Sequence, residues 1–373
     1  MCIRDRLTDI WVARAGRYHP TLDSAQVYSW NQTAFARELW RRARPVSGWE
    51  AIMARNHWFQ REALGRLRAI RRDHPGERLV LFAYSYAARN LFEFAKEAGW
   101  FTVLGQIDPG RAEEKIVDSL ERGTGSKGGW RPAPDSYWEE WRAECALADC
   151  IVVNSEWSRQ GLMAEGVSEE KLRVTPLVFE PAPETRGFAR AYPERYTPER
   201  PLRILFLGQV CLRKGIHIVM EAADRLAGLP VEIQVAGPIQ VPLTEAHRSH
   251  PVLRWTGSVP RSAVSSYYRE ADLFLFPTFS DGFGLTQLEA QSWKLPLMVS
   301  RFCGGVVEDG VNGWVIEHLS GEAIAGLVRH LLADPSEMRR KSDATSLGVE
   351  HRFEGFAARL IGVTVGQESC WNL

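Results

Sequence analysis

Short apolar runs alternate along this chain with stretches in which apolar side chains return every third or fourth position. Leu79 to Tyr84, Phe101 to Gln106, Cys150 to Val153 and Leu172 to Leu177 show the first pattern; Ala87 to Ala98, Arg111 to Glu121, Tyr137 to Ala148 and Glu156 to Ala164 show the second. The alternation predicts strands joined by crossover helices, hence a parallel sheet. Pro181 to Pro201 then carries five prolines with charged spacers, which suits a connection between domains. Beyond it the rhythm restarts, with strands at Arg203 to Leu207, Val231 to Ala236, Val252 to Thr256, Leu273 to Phe276 and Leu297 to Ser300. Helices are expected at Ile216 to Leu226, Ser262 to Glu270, Gly284 to Trp293 and Glu322 to Leu332. Upstream, Val27 to Arg44 and Trp49 to Arg72 read as helices, each burying one face, and Leu7 to Val12 as a short strand. The expected class is α/β with two doubly wound domains: 1–180, a linker over 181–201, 202–347, and a C-terminal helix and tail over 348–373 whose return to the first domain is left open.

Two domains facing each other enclose a cleft built from strand-to-helix turns, because open parallel sheets bind ligands at the carboxyl ends of their strands. Composition narrows the choice of ligand. The 373 residues hold 46 Lys plus Arg against 46 Asp plus Glu, so no global field draws the protein to nucleic acid. Residues 1–78 hold 15 basic against 8 acidic residues, a net of +7; a solvated basic helix face is expected there, with peripheral contact to a phosphate or lipid surface as the second option. Six scattered cysteines without a C-x-x-C pair read as reduced thiols, which points to the cytoplasm or the inner face of its membrane. Gly123-Thr-Gly-Ser-Lys-Gly128 matches G-x-G-x-x-G, but a helix precedes it and Pro-rich sequence follows, so a loop is expected rather than a dinucleotide site.

Two turns of the second half carry the chemistry. Gly208-Gln-Val-Cys-Leu-Arg-Lys-Gly215 places Arg213 and Lys214 just before a helix N-terminus, where free amides, the positive helix end and two side-chain charges suit a pyrophosphate. Asp281-Gly-Phe-Gly-Leu-Thr-Gln-Leu-Glu289 places two carboxylates around a glycine turn. Amides at Phe283 and Gly284 are expected to face hydroxyls, and each carboxylate can accept from a pair of them. With Phe206-Leu-Gly-Gln209, Val235-Ala-Gly-Pro238, Ala271 to Pro277, Leu295-Pro296 and Asp309-Gly-Val-Asn-Gly313, these turns stand in the order and spacing of a family. The second half resembles the family 4 retaining glycosyltransferases of the GT-B fold, also described as group 1 glycosyl transferases; Ala148 to Ser155 resembles the end of their first domain.

The resemblance implies transfer of a sugar from a nucleoside-diphosphate sugar to a saccharide, a lipid-linked sugar or a small molecule, with retention and without metal or cofactor. It implies catalytic roles for Asp281, Lys214 and Arg213, with Lys214 against the diphosphate and Asp281 toward the sugar. Glu289 would meet the ribose hydroxyls, and Gly208, Gln209, Phe283, Gly284 and Leu285 would line the donor. Two departures bear on donor identity: Asp281 is one methylene shorter than the family's glutamate, and Gln209 stands where many members carry arginine. No D-x-D occurs in the chain and no His/Cys set has zinc spacing. A GT-B epimerase or phosphorylase and a non-catalytic nucleotide-sugar-binding protein are the alternatives. Finally, Met1-Cys-Ile-Arg-Asp-Arg6 resembles a translated sequencing adapter, so an upstream strand and helix are expected ahead of Leu7 to Val12.

Overall fold

The computed structural model describes residues 47–124 and 130–353 continuously, together with 2–4, 27–30, 33–35, 37, 355, 356, 359 and 362. The expected strand at Leu7 to Val12 and most of the loop at Gly123 to Gly128 lie outside the described residues. In chain order the elements begin with strands β1 (Cys2–Arg4) and β2 (Val27–Ser29), a parallel pair. Val27 to Ser29 is thus a strand rather than the start of the expected helix. Its Val-Tyr pair favours extended backbone, and pairing with a distant segment is invisible to local periodicity. There follow α1 (Gly48–Asp73), β3 (Val80–Tyr84), α2 (Arg89–Glu97), β4 (Phe101–Gln106), α3 (Arg111–Gly123), α4 (Asp135–Leu147), β5 (Cys150–Val153), α5 (Glu156–Ala164) and β6 (Leu172–Val174).

The second series runs β7 (Leu202–Leu207), α6 (Ile216–Arg225), β8 (Val231–Ala236), α7 (Glu245–Arg248), β9 (Leu253–Gly257), α8 (Val264–Glu270), β10 (Leu273–Phe276), α9 (Thr286–Ser292), β11 (Leu297–Ser300), β12 (Gly313–Ile316), α10 (Gly321–Ala333) and α11 (Ser336–Ala344). Sequence periodicity missed β12, a four-residue strand that opens on glycine, and α11, whose composition is mostly polar. One sheet has the order β3-β4-β5-β6 and the other β12-β11-β10-β7-β8-β9, with every described pairing parallel. By packing, the chain forms two compact units: Met1–Gly105 with Ala133–Ile151, and Gln106–Pro132 with Val152–Leu373.

Within the first unit, the turn from β3 to α2 aims its amides at one carboxylate. Glu144 accepts from the N–H groups of Tyr86 and Ala88, each at 2.7 Å, and of Arg89 at 3.2 Å. The Glu144 carboxyl therefore satisfies donors of that helix start. Asp149 does similar work for β4, accepting from the Thr102 amide at 2.9 Å and its hydroxyl at 3.0 Å.

The six-stranded sheet of the second unit is covered on both faces, as parallel sheets require. Alternate residues of β7 divide between two cores. Ile204 and Phe206 pack with Ile216, Val219 and Ala223 of α6 and Ile324 and Val328 of α10, while Leu205 packs with Tyr268 of α8 and Ala290 of α9. Ahead of β7, Arg200 grips buried Asp272 through two bonds of 2.7 Å, fixing the end of the proline-rich stretch at the start of β10. Past α11, the His351 carbonyl accepts from Phe179 N–H at 3.0 Å and its ring nitrogen meets the Leu177 carbonyl at 3.1 Å. Among the described residues, no helix is long and apolar enough to cross a membrane.

Candidate functional site

In the six-stranded sheet the chain winds outward in both directions from β7 and β10, which lie side by side. That reversal opens a crevice beyond their carboxyl ends, the ordinary ligand position of such sheets. Both turns singled out in the sequence emerge there: residues 208–215 after β7 and 277–285 after β10. Their close fit depends on Gly215, which adopts φ 81° to open α6; a Cβ on it would stand 2.2 Å from the Pro277 carbonyl oxygen.

The structure brings Arg213, Lys214 and Asp281 together. Arg213 donates through Nη1 to the Ser280 carbonyl at 2.8 Å, and its own carbonyl accepts from Phe279 N–H at 2.8 Å. Lys214 forms an ion pair with Asp281, with its ammonium 4.9 Å from the centre of the Phe276 ring. Burial, with the Arg213 charge second, pulls the lysine down to about 8. Nearby groups, Glu113 among them, act in the opposite sense, and at about 8 the ammonium still carries most of its charge at neutral pH. The second oxygen of Asp281 accepts from Phe283 N–H at 3.1 Å, so this side chain closes its own turn instead of capping α9. One of the two amides expected to face hydroxyls is thereby engaged by aspartate.

Glu289 lies one helical turn into α9, apart from the two cations in the hydrogen-bond network, and accepts at 2.7 Å from the hydroxyl of buried Tyr268. Gly208 and Gln209 continue from β7; the Gly208 amide donates to the Ala236 carbonyl at 2.9 Å, and Gln209 is exposed. Gly284 takes φ 83°, and Leu285 is exposed at the head of α9. Phe283 is buried, with its ring 5.7 Å from that of His351, so this side chain packs and only its backbone belongs to the turn.

Other members of this network escaped the sequence reading. Glu113, in the first turn of α3, accepts from Ser280 Oγ at 2.8 Å and lies 3.5 Å from Arg213 Nη1. Burial outweighs those partners and raises its pKa above the usual carboxylate value. Trp157 Nε1 donates to Ser280 Oγ at 3.1 Å. Ser155 and Ser158 donate to the Gly282 carbonyl at 2.5 and 3.2 Å, gripping the glycine turn from the start of α5. The one signal in the sequence was topological: Glu113 and Ser155 follow strands β4 and β5, at their carboxyl ends. Among the described residues, no group of three His, Cys, Asp or Glu side chains is arranged to hold a metal ion.

A crevice at a switch point, walled by two cations, two carboxylates and a glycine turn, is matched by what this chain resembles. Residues 201–334 match the family model described as Glycosyl transferases group 1. The matched stretch runs from the residue before β7 to the residue after α10 and includes Arg213, Lys214, Asp281 and Glu289. Glycogen synthase of Mycobacterium tuberculosis (strain CDC 1551 / Oshkosh) is 31% identical over 154 residues, 39% of this chain and 37% of that relative. The chain thus spans little more than a third of this relative's length. Sucrose-phosphate synthase from Thermosynechococcus elongatus superposes with a TM-score of 0.61 at 17% identity, covering 87% of this chain and 81% of its own. Anabaena HepE in complex with UDP superposes at 0.52 and 14% identity, covering 75% and 78%. These likenesses are of fold, and the fold is GT-B.

Proposed function

We propose that this protein transfers a sugar from a nucleoside-diphosphate sugar to an acceptor hydroxyl, with retention of anomeric configuration and without a metal ion. The observation that carries the proposal is the pairing of Lys214 with Asp281 across the switch point, beside Arg213 and the N-terminus of α6. The group 1 glycosyltransferase match over these residues supports it, as does the UDP bound by a protein of the same fold.

Departure of a nucleoside diphosphate concentrates negative charge on phosphate oxygens while the sugar becomes oxocarbenium-like, so stabilisation is most effective at the leaving group. Arg213, held by the Ser280 carbonyl, and Lys214, desolvated against Phe276, supply two fixed positive charges there. Phosphate displaces Asp281 from Lys214 and releases that carboxylate toward the sugar. Glu289, with one oxygen anchored on Tyr268, accepts from the ribose hydroxyls.

Thermal unfolding in the presence of UDP-, ADP- and GDP-sugars tests the proposal, since a ligand that binds the native state raises the midpoint in proportion to the logarithm of its excess over Kd. One nucleotide series is expected to stabilise the protein in EDTA as well as in magnesium. Indifference to all three would reject it, and donor hydrolysis that never yields a transfer product would move the assignment to the epimerase class. Glu289→Gln is expected to weaken donor binding by about 1 to 3 kcal/mol, the worth of charged hydrogen bonds, with turnover at saturation nearly unchanged. Calorimetric Kd beside kcat measures that split.

A further inference from the structure

We propose that Tyr268 is a positioning residue that presets the Glu289 carboxylate for a ribose diol; this rests on the ribose role given to Glu289 above. The phenol lies in the core between α8 and α9, 1% exposed, with its ring 5.8 Å from that of Phe274. Its hydroxyl is 2.7 Å from Glu289 Oε2. Burial first, and the adjoining carboxylate second, hold the phenolic proton far above the ordinary tyrosine range, so at any working pH this hydroxyl donates. Glu289 is partly exposed, and among the described residues its other oxygen takes no side-chain hydrogen bond.

A glutamate on a helix surface has three rotatable bonds, and fixing them as a ligand arrives opposes binding by about 0.5 to 1.5 kcal/mol for each side chain immobilised. Anchoring one oxygen from the core removes most of that freedom beforehand. The anchor itself is held. Arg190 donates to the carbonyls of Tyr268 and Ala271 at the end of α8 and, at 2.8 Å, to the Trp293 carbonyl that ends α9. One guanidinium thus ties together the two helices that carry the donor and the acceptor of the Tyr268–Glu289 bond. Arg190 is half-buried, and the partners of these bonds are backbone carbonyls, which suits a fixed strut.

The test compares wild type with Tyr268→Phe, using as probes whichever of UDP and ADP binds more tightly, its 2′,3′-dideoxy analogue, and inorganic pyrophosphate. Tyr268→Phe is expected to raise the Kd of the ribonucleotide about five- to thirtyfold. Kd for pyrophosphate and for the dideoxy analogue should stay within twofold of wild type, and kcat at saturating donor should hold. Retained pyrophosphate binding also verifies that the variant folds. In a Glu289→Gln background the same substitution is expected to change ribonucleotide affinity by less than about twofold, the non-additivity of a residue acting through another. If Tyr268→Phe does not fold, a Glu289→Gln protein that keeps wild-type preference for ribo- over dideoxynucleotide overturns the inference. Equal weakening of all three probes, or an unchanged ribonucleotide Kd, overturns the inference while leaving the proposed function standing. A wild-type protein that binds pyrophosphate but neither nucleotide overturns both.

Discussion

Lys214→Ala is expected to slow sugar transfer about a hundred- to a thousandfold, the usual consequence of removing one preorganised stabiliser of transition-state charge. The ammonium is held between the Phe276 ring and Asp281, a fixed position that its alanine replacement leaves empty. Stability should fall as well, by up to about 3 kcal/mol, because removing one partner of a mostly buried pair leaves the Asp281 carboxylate without its counter-charge. Single-turnover rates beside urea midpoints separate the two effects; an unaltered rate sinks the phosphate assignment. The reaction's pH dependence provides a second readout. Because burial brings this lysine to about 8, donor kcat/KM is expected to be level below that pH, where the cation persists. Above it, loss of the proton should lower kcat/KM by about tenfold per unit. In Lys214→Arg the alkaline limb should vanish, since guanidinium keeps its charge throughout. A limb unchanged by that substitution belongs to another group.

Gly282→Ala is expected to destabilise the second unit by about 3 kcal/mol, the upper part of the usual range for overpacking. A Cβ built there stands 2.1 Å from the Ile107 carbonyl oxygen and 2.9 Å from Asn154 Nδ2. Neither can yield cheaply: Asn154 Nδ2 donates to that same carbonyl at 2.9 Å, and the Gly282 carbonyl is held by Ser155 and Ser158. Asp281 and Phe283 flank the glycine, so displacement of the turn should depress transfer as well. Chemical denaturation of Gly282→Ala beside Gly305→Ala, which meets nothing within 4 Å, checks this; equal midpoints would show that the turn has room.

Much of this was legible in the sequence because its signals are local. Buried parallel strands are short apolar runs, and α6 and α10 keep a clean helical period, so β7 to β11 could be placed to within a residue or two. Arg213-Lys214 and the Asp281 to Glu289 segment are contiguous clusters, and contiguous clusters can be read. What could not be read was pairing over distance. Glu113 reaches Ser280 across 167 positions and Arg213 across 100, and nothing about a glutamate in a first helical turn distinguishes it from an ordinary N-terminal charge. Nothing in the helical spacing of Ser262 to Glu270 singles out Tyr268, since the direction of a buried hydroxyl has no periodicity. Val27 to Ser29 went the other way: aromatic spacing suggested a helix, and a strand partner supplied by residues 2–4 prevailed.

Each cation of the crevice already faces a carboxylate, Lys214 with Asp281 and Arg213 with Glu113. The pocket is therefore close to electroneutral, and on the proposed function an incoming diphosphate would exchange for resident anions instead of filling a positive hole. Long-range attraction should contribute little, so association rates ought to vary weakly with ionic strength, unlike those of sites with an unbalanced basic surface. Selectivity follows from the same exchange. On the proposed function, orthophosphate would have to displace Asp281 with nothing else to gain, whereas a nucleotide sugar would offset that displacement through its ribose and sugar. The aspartate would thus act as a built-in competitor that only a ligand with both ends displaces.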